Sequence, residues 1–250
     1  MIFRFTQFVD DKFQVLYNDT YIGTFNLFIK GKERCLTYNA YTDQNTVQYV
    51  AQAIKSIFPY RKIIVRNNYD KFVVDNNDKT ENNFVLLHYN NNKPHESLLY
   101  KHGKRIGTFF KNRKHIVLDT TEGDKEYMGT FLNNVADAAY QLVKLYNQDI
   151  KVVLDGRVYV ITPQTPYTHI LSIFDNSVLN CWHKGKVVGT YNYAGRGLNF
   201  ISNRRVPLRQ SLDGALSLSY ITKRPVCVLS QNETDSLLFK LYRRELCKKH

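Results

Sequence analysis

Negative charge is in short supply in this 250-residue sequence: 22 Asp and Glu stand against 35 Lys and Arg, leaving +13 at neutral pH. Such an imbalance sets up a long-range positive potential that favours a polyanionic partner. Cysteine is sparse as well. Cys35, Cys181, Cys227 and Cys247 are scattered with no CxxC and no paired spacing, so neither a disulfide framework nor a zinc ribbon is indicated. Free buried thiols in a reducing compartment are expected. No stretch approaches the ~18 consecutive apolar residues of a membrane-spanning helix. The start, "MIFRFTQFVDD", lacks the basic-then-apolar order of a signal peptide. The expected compartment is the cytoplasm, or the host cytoplasm and nucleoid if the protein is viral, and no membrane partner is expected.

Catalytic signatures are missing too: there is no HExxH, no GxxxxGK[ST] and no GxSxG. Asp75, Asp78 and Glu81 lie close together but in an Asn-rich turn, where solvated loop carboxylates are the norm. His88, His95, His102 and His115 show no ligand spacing. We therefore nominate no catalytic residue, no metal ligand and no cofactor, and expect a protein that is not an enzyme.

What is present begins with an ordinary apolar share, 43%, which is that of a globular chain rather than a disordered polycation. Three related phrases stand out: "VLYNDTYIGTF", "LLYKHGKRIGTFF" and "LNCWHKGKVVGTY", with glycines at 23, 107 and 189. An aromatic residue (Tyr17, Tyr100 or Trp182) precedes each. Around every phrase the order is the same: a β-like run, the two arms of a hairpin, another strand, a helix, then valine-rich strands. The helices are read at "TVQYVAQAIKSIF", "FLNNVADAAYQLVKLY" and "SLDGALSLSYI", the last weakened by Gly214, which costs about 1 kcal/mol against Ala. The fold class expected is α+β, with three tandem repeats of a small antiparallel sheet packed by one helix. The modules span 1–80, 81–164 and 165–250, joined at the turn-rich "DNNDKTENN" and "TPQTPYT".

Charge is distributed unevenly over this frame. The helices are electrically quiet: the first carries only Lys55 on its polar face, and Asp137 and Lys144 cancel in the second. A helix that reads the major groove normally offers more. The cations lie instead in and beside hairpin turns. These are Lys30, Lys32 and Arg34 in the first module; Lys101, Lys104, Arg105, Lys111, Arg113 and Lys114 in the second; and Lys184, Lys186, Arg196, Arg204, Arg205 and Arg209 in the third. Glycines within such turns let backbone N–H groups join the side chains in holding phosphates. The net charge over the three modules is +3, +2 and +8, so the third is expected to dominate capture.

Tandem units with cationic turns suit a long, regular anion, and duplex DNA offers one charge per roughly 1.7 Å. The 18 Tyr and 15 Phe invite a single-strand reading through stacking. Strand parity instead places Phe3, Phe5, Tyr17, Phe25, Phe72 and Val74 on a core face. Tyr191 and Tyr193, beside Arg196, are the best stacking candidates. Size, basic charge, an Asn-, Tyr- and Lys-rich composition and the lack of a catalytic signature resemble the profile of the abundant early double-stranded-DNA-binding proteins of large tailed phages. That resemblance implies coating of viral DNA and influence on replication and transcription control. "RIGTFFKNRKHIVL" followed by "NNVADAAYQLV" resembles the plant and phage-integrase type of DNA-binding domain, which implies a small sheet set in the major groove. The expectation is a duplex-DNA binder that uses phosphates and has little sequence specificity, self-association along the DNA being a further partner interaction. The alternatives are a metal-dependent DNA nuclease and a single-stranded nucleic-acid or RNA binder.

Overall fold

A computed structural model describes residues 2–30, 33–40, 43–57, 62–66, 71–74, 84–89, 93, 95–165, 170–175 and 178–229. The chain is α+β and mostly strand, with three helices and two sheets among the described residues. It divides into two compact units, Met1–Asp124 and Lys125–His250. That division falls inside the 81–164 stretch which the sequence pattern groups together.

Unit 1 runs β1 (Ile2–Val9), β2 (Lys12–Tyr17), β3 (Thr20–Lys30), β4 (Glu33–Ala40), α1 (Gln44–Ile57), β5 (Lys62–Arg66), β6 (Lys71–Val74), β7 (Phe84–His88), β8 (Glu96–Lys101), β9 (Lys104–Lys111) and β10 (Ile116–Asp119). Their order across the sheet is β10-β9-β8-β7-β1-β2-β3-β4-β5-β6. The pairing is antiparallel except where α1 carries the chain from β4 to a parallel β5, and where β7 lies parallel to β1. Unit 2 contains α2 (Met128–Tyr146), the antiparallel pair β11 (Ile150–Leu154) and β12 (Arg157–Ile161), then β13 (Ile170–Asp175), β14 (Val178–His183), β15 (Lys186–Ala194), β16 (Gly197–Ser202), α3 (Leu208–Thr222) and β17 (Val226–Leu229). The last five strands form a sheet in chain order, with β17 parallel to β16 across the α3 connection.

The recurring phrase has a physical explanation. In each of the three hairpins the register slips by one residue just before the glycine. Val15 pairs Gly23 while Leu16 pairs Tyr21; Leu99 pairs Gly107 while Tyr100 pairs Arg105; Cys181 pairs Gly189 while Trp182 pairs Val187. The skipped residues, Ile22, Ile106 and Val188, form β-bulges and all turn inward, 6%, 2% and 0% exposed. In the second and third hairpins the bulge presses the following glycine against the next strand. A Cβ on Gly107 would stand 2.2 Å from the Asp119 carbonyl oxygen, and one on Gly189 2.6 Å from that of Ile201. Only glycine fits. The hairpin corners turn through left-handed pairs, Asn18-Asp19, His102-Gly103 and Lys184-Gly185, the geometry that matches the strands' twist.

α1 starts at Asp43, whose carboxylate accepts from the Thr46 N–H at 3.0 Å and from its hydroxyl at 2.6 Å. Val47, Val50, Ala51, Ala53 and Ile54 meet Phe3, Phe5, Phe13, Val15 and Phe25 in one core. Phe13 and Phe25 stack at 4.7 Å, and each fully buried phenylalanine contributes about 2–3 kcal/mol by transfer alone. Phe72 and Val74 have side chains outside the described residues. Lys55 departs from expectation: it is 9% exposed, buried in the last turn of α1 rather than on a solvated face. In α3, Gly214 is a packing device, since a Cβ there would come within 2.8 Å of Val188 Cγ2. The helix thus beds on the bulge, and the Ser211 hydroxyl donates to the Val188 carbonyl at 2.8 Å. Of the cysteines with described side chains, Cys181 is buried as expected and Cys227 is exposed.

Candidate nucleic-acid interface

Antiparallel strands put the first hairpin corner and the end of the last hairpin strand at one end of a sheet. In unit 2 this joins the β14–β15 corner, with Lys184 and Lys186, to the loop after β16. Asn203 fastens that loop: its amide N–H donates to the Val188 carbonyl at 2.9 Å and its side chain to the Val187 carbonyl at 2.8 Å. Asn203 also accepts from the Arg205 N–H at 2.9 Å. Arg204, Arg205 and Arg209 are thereby held beside Lys184 and Lys186, and all five are exposed. Among the described residues none of the five makes an ion pair. Arg196 sits in the β15–β16 turn, at the opposite end of the same sheet, exposed beside Gly195 at φ +58°.

The same corner in unit 1 has the opposite surroundings. After β10 the chain reads "TTEGD" where unit 2 has "NRR", so Lys104 lies 3.8 Å from Asp124 and Arg105 2.6 Å from Glu122. Arg105 also donates to the Thr108 hydroxyl at 2.9 Å. Lys101 is set apart from the others: it is 5% exposed, its ammonium 4.7 Å from the Phe84 ring centroid. A cleft of about 530 Å³ opens on this sheet, lined by Arg105, Glu96, Asp119, Glu122, Leu98 and Phe110 among others. Its three carboxylates make it a poor seat for a polyanion. At the other end of β9, Asn112 accepts from the Lys114 and His115 N–H groups at 2.8 and 2.7 Å. This tight turn leaves Arg113 and Lys114 exposed, with Lys111 half-buried beside them.

In the first module, Lys30 and Arg34 belong to the paired strands β3 and β4. Their side chains, and the whole of Lys32, lie outside the described residues. The stacking candidates separate. Tyr191 is 4% exposed and within the core, whereas Tyr193 is 50% exposed, with arginine guanidinia near its ring. These two cations, Arg157 and Arg224, escaped the sequence reading because neither stands in a glycine-marked hairpin of the three phrases. Burial, with the Lys101 charge beside it, holds the His102 ring below its ordinary pKa of 6.5, so it adds little positive charge at neutral pH. Burial, and next the phenol of Tyr191, push the Tyr159 hydroxyl far above its usual range.

Among the described residues no group of three His, Cys, Asp or Glu is placed to hold a metal ion, and Asp75, Asp78 and Glu81 lie outside them. Also among the described residues, no helix is long and apolar enough to cross a membrane.

No family model, curated protein or solved structure matches the chain.

Proposed function

We propose that this chain binds duplex DNA, chiefly through the phosphate backbone, with its 125–250 half as the main electrostatic contact. The observation that carries the reading is the cluster Lys184, Lys186, Arg204, Arg205 and Arg209: five exposed cations at one end of one sheet, with no ion pair among the described residues. Unpaired arginines keep their donor forks for phosphate oxygens, and contacts of this kind fix position without reading sequence. Asn192 and Asn199 pair across β15 and β16, Asn192 exposed and Asn199 half-buried. They are the side chains best suited to any base readout, since amides pair with adenine edges.

The three-part organisation belongs to this proposal. Strand, hairpin, strand, helix and strand follow one another in the same order from β1, from β7 and from β13, with the bulge and the left-handed corner recurring at matching positions. This supports three diverged copies of one unit, of which the third kept or gained the most charge. The setting is the one that the resemblance to the early double-stranded-DNA-binding proteins of large tailed phages implies, viral DNA replication or transcription control, with neighbouring molecules self-associating along the duplex.

Titration of a duplex at several salt concentrations tests the reading. If the chain neutralises roughly 6–10 phosphates, affinity drops about a thousandfold or more between 50 and 200 mM salt. Competition by unrelated duplexes should be nearly equal, and the DNA should survive incubation with Mg²⁺ or Mn²⁺. A flat salt response would refute the proposal.

A further inference from the structure

The cleft on the β8, β9 and β10 face of unit 1 is not used by the cationic corners. Its volume of about 530 Å³ suits an organic group and far exceeds what a bare ion needs. Strand pairing builds its floor in two rows. Glu96 lies opposite Phe110, and Phe110 opposite Val117; in the next row Leu98 lies opposite Thr108, and Thr108 opposite Asp119. Leu98 also packs against the core that α1 closes, which fixes the floor.

The charges at the rim are partly matched. Glu122 holds Arg105 at 2.6 Å, and Lys93 lies 3.8 Å from Glu96. The second contact is loose, since the Lys93 side chain is 83% exposed. Asp119 is left over. Its Oδ1 accepts from the Thr121 N–H at 2.9 Å and from the hydroxyl at 2.6 Å, while its Oδ2 has no hydrogen bond or ion pair among the described residues. Two cations against three carboxylates leave the cleft with one negative charge to match.

Phosphates are repelled by such a site. A metal ion lacks its ligands, because among the described residues no three His, Cys, Asp or Glu converge. One organic cation on an apolar stem meets both demands. Its methylenes cover Leu98, Phe110 and Val117 while its head reaches Asp119 Oδ2 and Glu96, and the Phe110 ring adds cation–π attraction. Lys and Arg side chains have this form. The chain carries many of them at +13 overall, and Arg113, Lys114, Lys184, Arg196 and Arg204 are exposed with no ion pair among the described residues.

We propose that this cleft is the docking site for a lysine or arginine side chain from a second copy of the chain. Cleft and donor turn are different patches, so the contact is heterologous, and its repetition strings copies head to tail. It also counters the mutual repulsion of strongly positive chains brought together. The contact gives self-association a defined surface; only its placing along a duplex rests on the DNA-binding reading.

Sedimentation velocity of the whole chain without nucleic acid, at several protein and salt concentrations, is the test. Association should be reversible and should weaken as salt is added. Asp119→Asn with Glu96→Gln keeps the side-chain shapes and the acceptor for Thr121, and should weaken association about tenfold. Asp10→Asn with Asp149→Asn makes the same change of charge at exposed carboxylates outside the cleft, and should alter it by no more than about twofold. n-Butylamine, which carries an ammonium on the four-carbon stem of lysine, should shift the Leu98 and Val117 methyl signals in NMR and dissociate the copies. A chain that stays monomeric at low salt, or whose association ignores the cleft variant, overturns the proposal even where duplex binding holds. Butylamine binding by a monomeric chain also overturns it, making the cleft a site for free amines. Cleft-dependent association in a chain indifferent to duplex keeps the contact and removes the DNA reading.

Discussion

At the scale of single residues, glycine position carries more information here than charge. Gly107 and Gly189 are required because a bulge drives their backbone onto a neighbouring carbonyl, and the spacing of these glycines is visible in the linear chain. Gly107→Ala would place a methyl 2.2 Å from backbone and should cost about 3 kcal/mol in urea unfolding. Gly156→Ala is the control: its φ is +71° but nothing stands within 4 Å, so only the left-handed backbone penalty of about 1 kcal/mol applies. Equal losses would show that the bulge explanation is wrong. His102 gives a pH-dependent case. Its folded pKa lies below the ordinary 6.5, so as pH falls the unfolded chain takes up the proton first. Stability present above that value is therefore lost as pH drops towards the folded pKa. His102 also holds a left-handed corner at φ +51° before Gly103, a place that Asn-Gly fills best. His102→Asn should raise the urea midpoint, and by more at about pH 5.5 than at pH 7.5; an advantage independent of pH would contradict the assignment.

At the scale of elements, the loop after the last hairpin strand decides what a cationic corner does. The corners Lys104-Arg105 and Lys184 to Lys186 look alike in the sequence, and only their partners differ. In unit 1 Asp124 and Glu122 occupy the cations, while in unit 2 the corresponding loop brings arginines. Reversing this is the sharpest check on the electrostatic reading. Glu122→Gln with Asp124→Asn should tighten duplex binding several-fold and steepen its salt dependence, because it removes two carboxylates that hold these cations and repel phosphates. These ion pairs are surface contacts worth little to folding, so thermal stability should barely change. Weaker or unaltered binding would mean that this corner does not face DNA.

At the scale of the whole molecule, the positive charge is concentrated in the 165–250 stretch, +8 of the total +13. A binding surface dominated by one part of the chain predicts asymmetry. Arg204→Ala with Arg205→Ala should weaken binding to unrelated duplexes about equally and lower the salt slope by about 2, if each arginine meets one phosphate. The exposed turn residues Arg113 and Lys114, changed likewise to Ala, should have the smaller effect, and the reverse ranking in the same titrations would overturn the charge argument.

Local features of the chain were enough to determine the α+β class, the three helices, nearly every strand and the recurrence of the glycines at 107 and 189, while the reason only glycine fits there came from the neighbouring strand. Hydrophobic period, turn chemistry and helix caps act over a few residues, and those are legible in order. Gly214 counted against α3 by propensity alone, and only packing on Val188 showed why it is there. What tertiary structure decided was which charges meet. Lys55 and Lys101 looked solvent-facing and are buried; Lys104 and Arg105 looked available and are paired. Arg157, Tyr193 and Arg224 sit far apart in the chain, and no spacing rule joins them. Those outcomes depend on which strands lie side by side, because a charge is neutralised or left free by neighbours that the fold brings in from elsewhere.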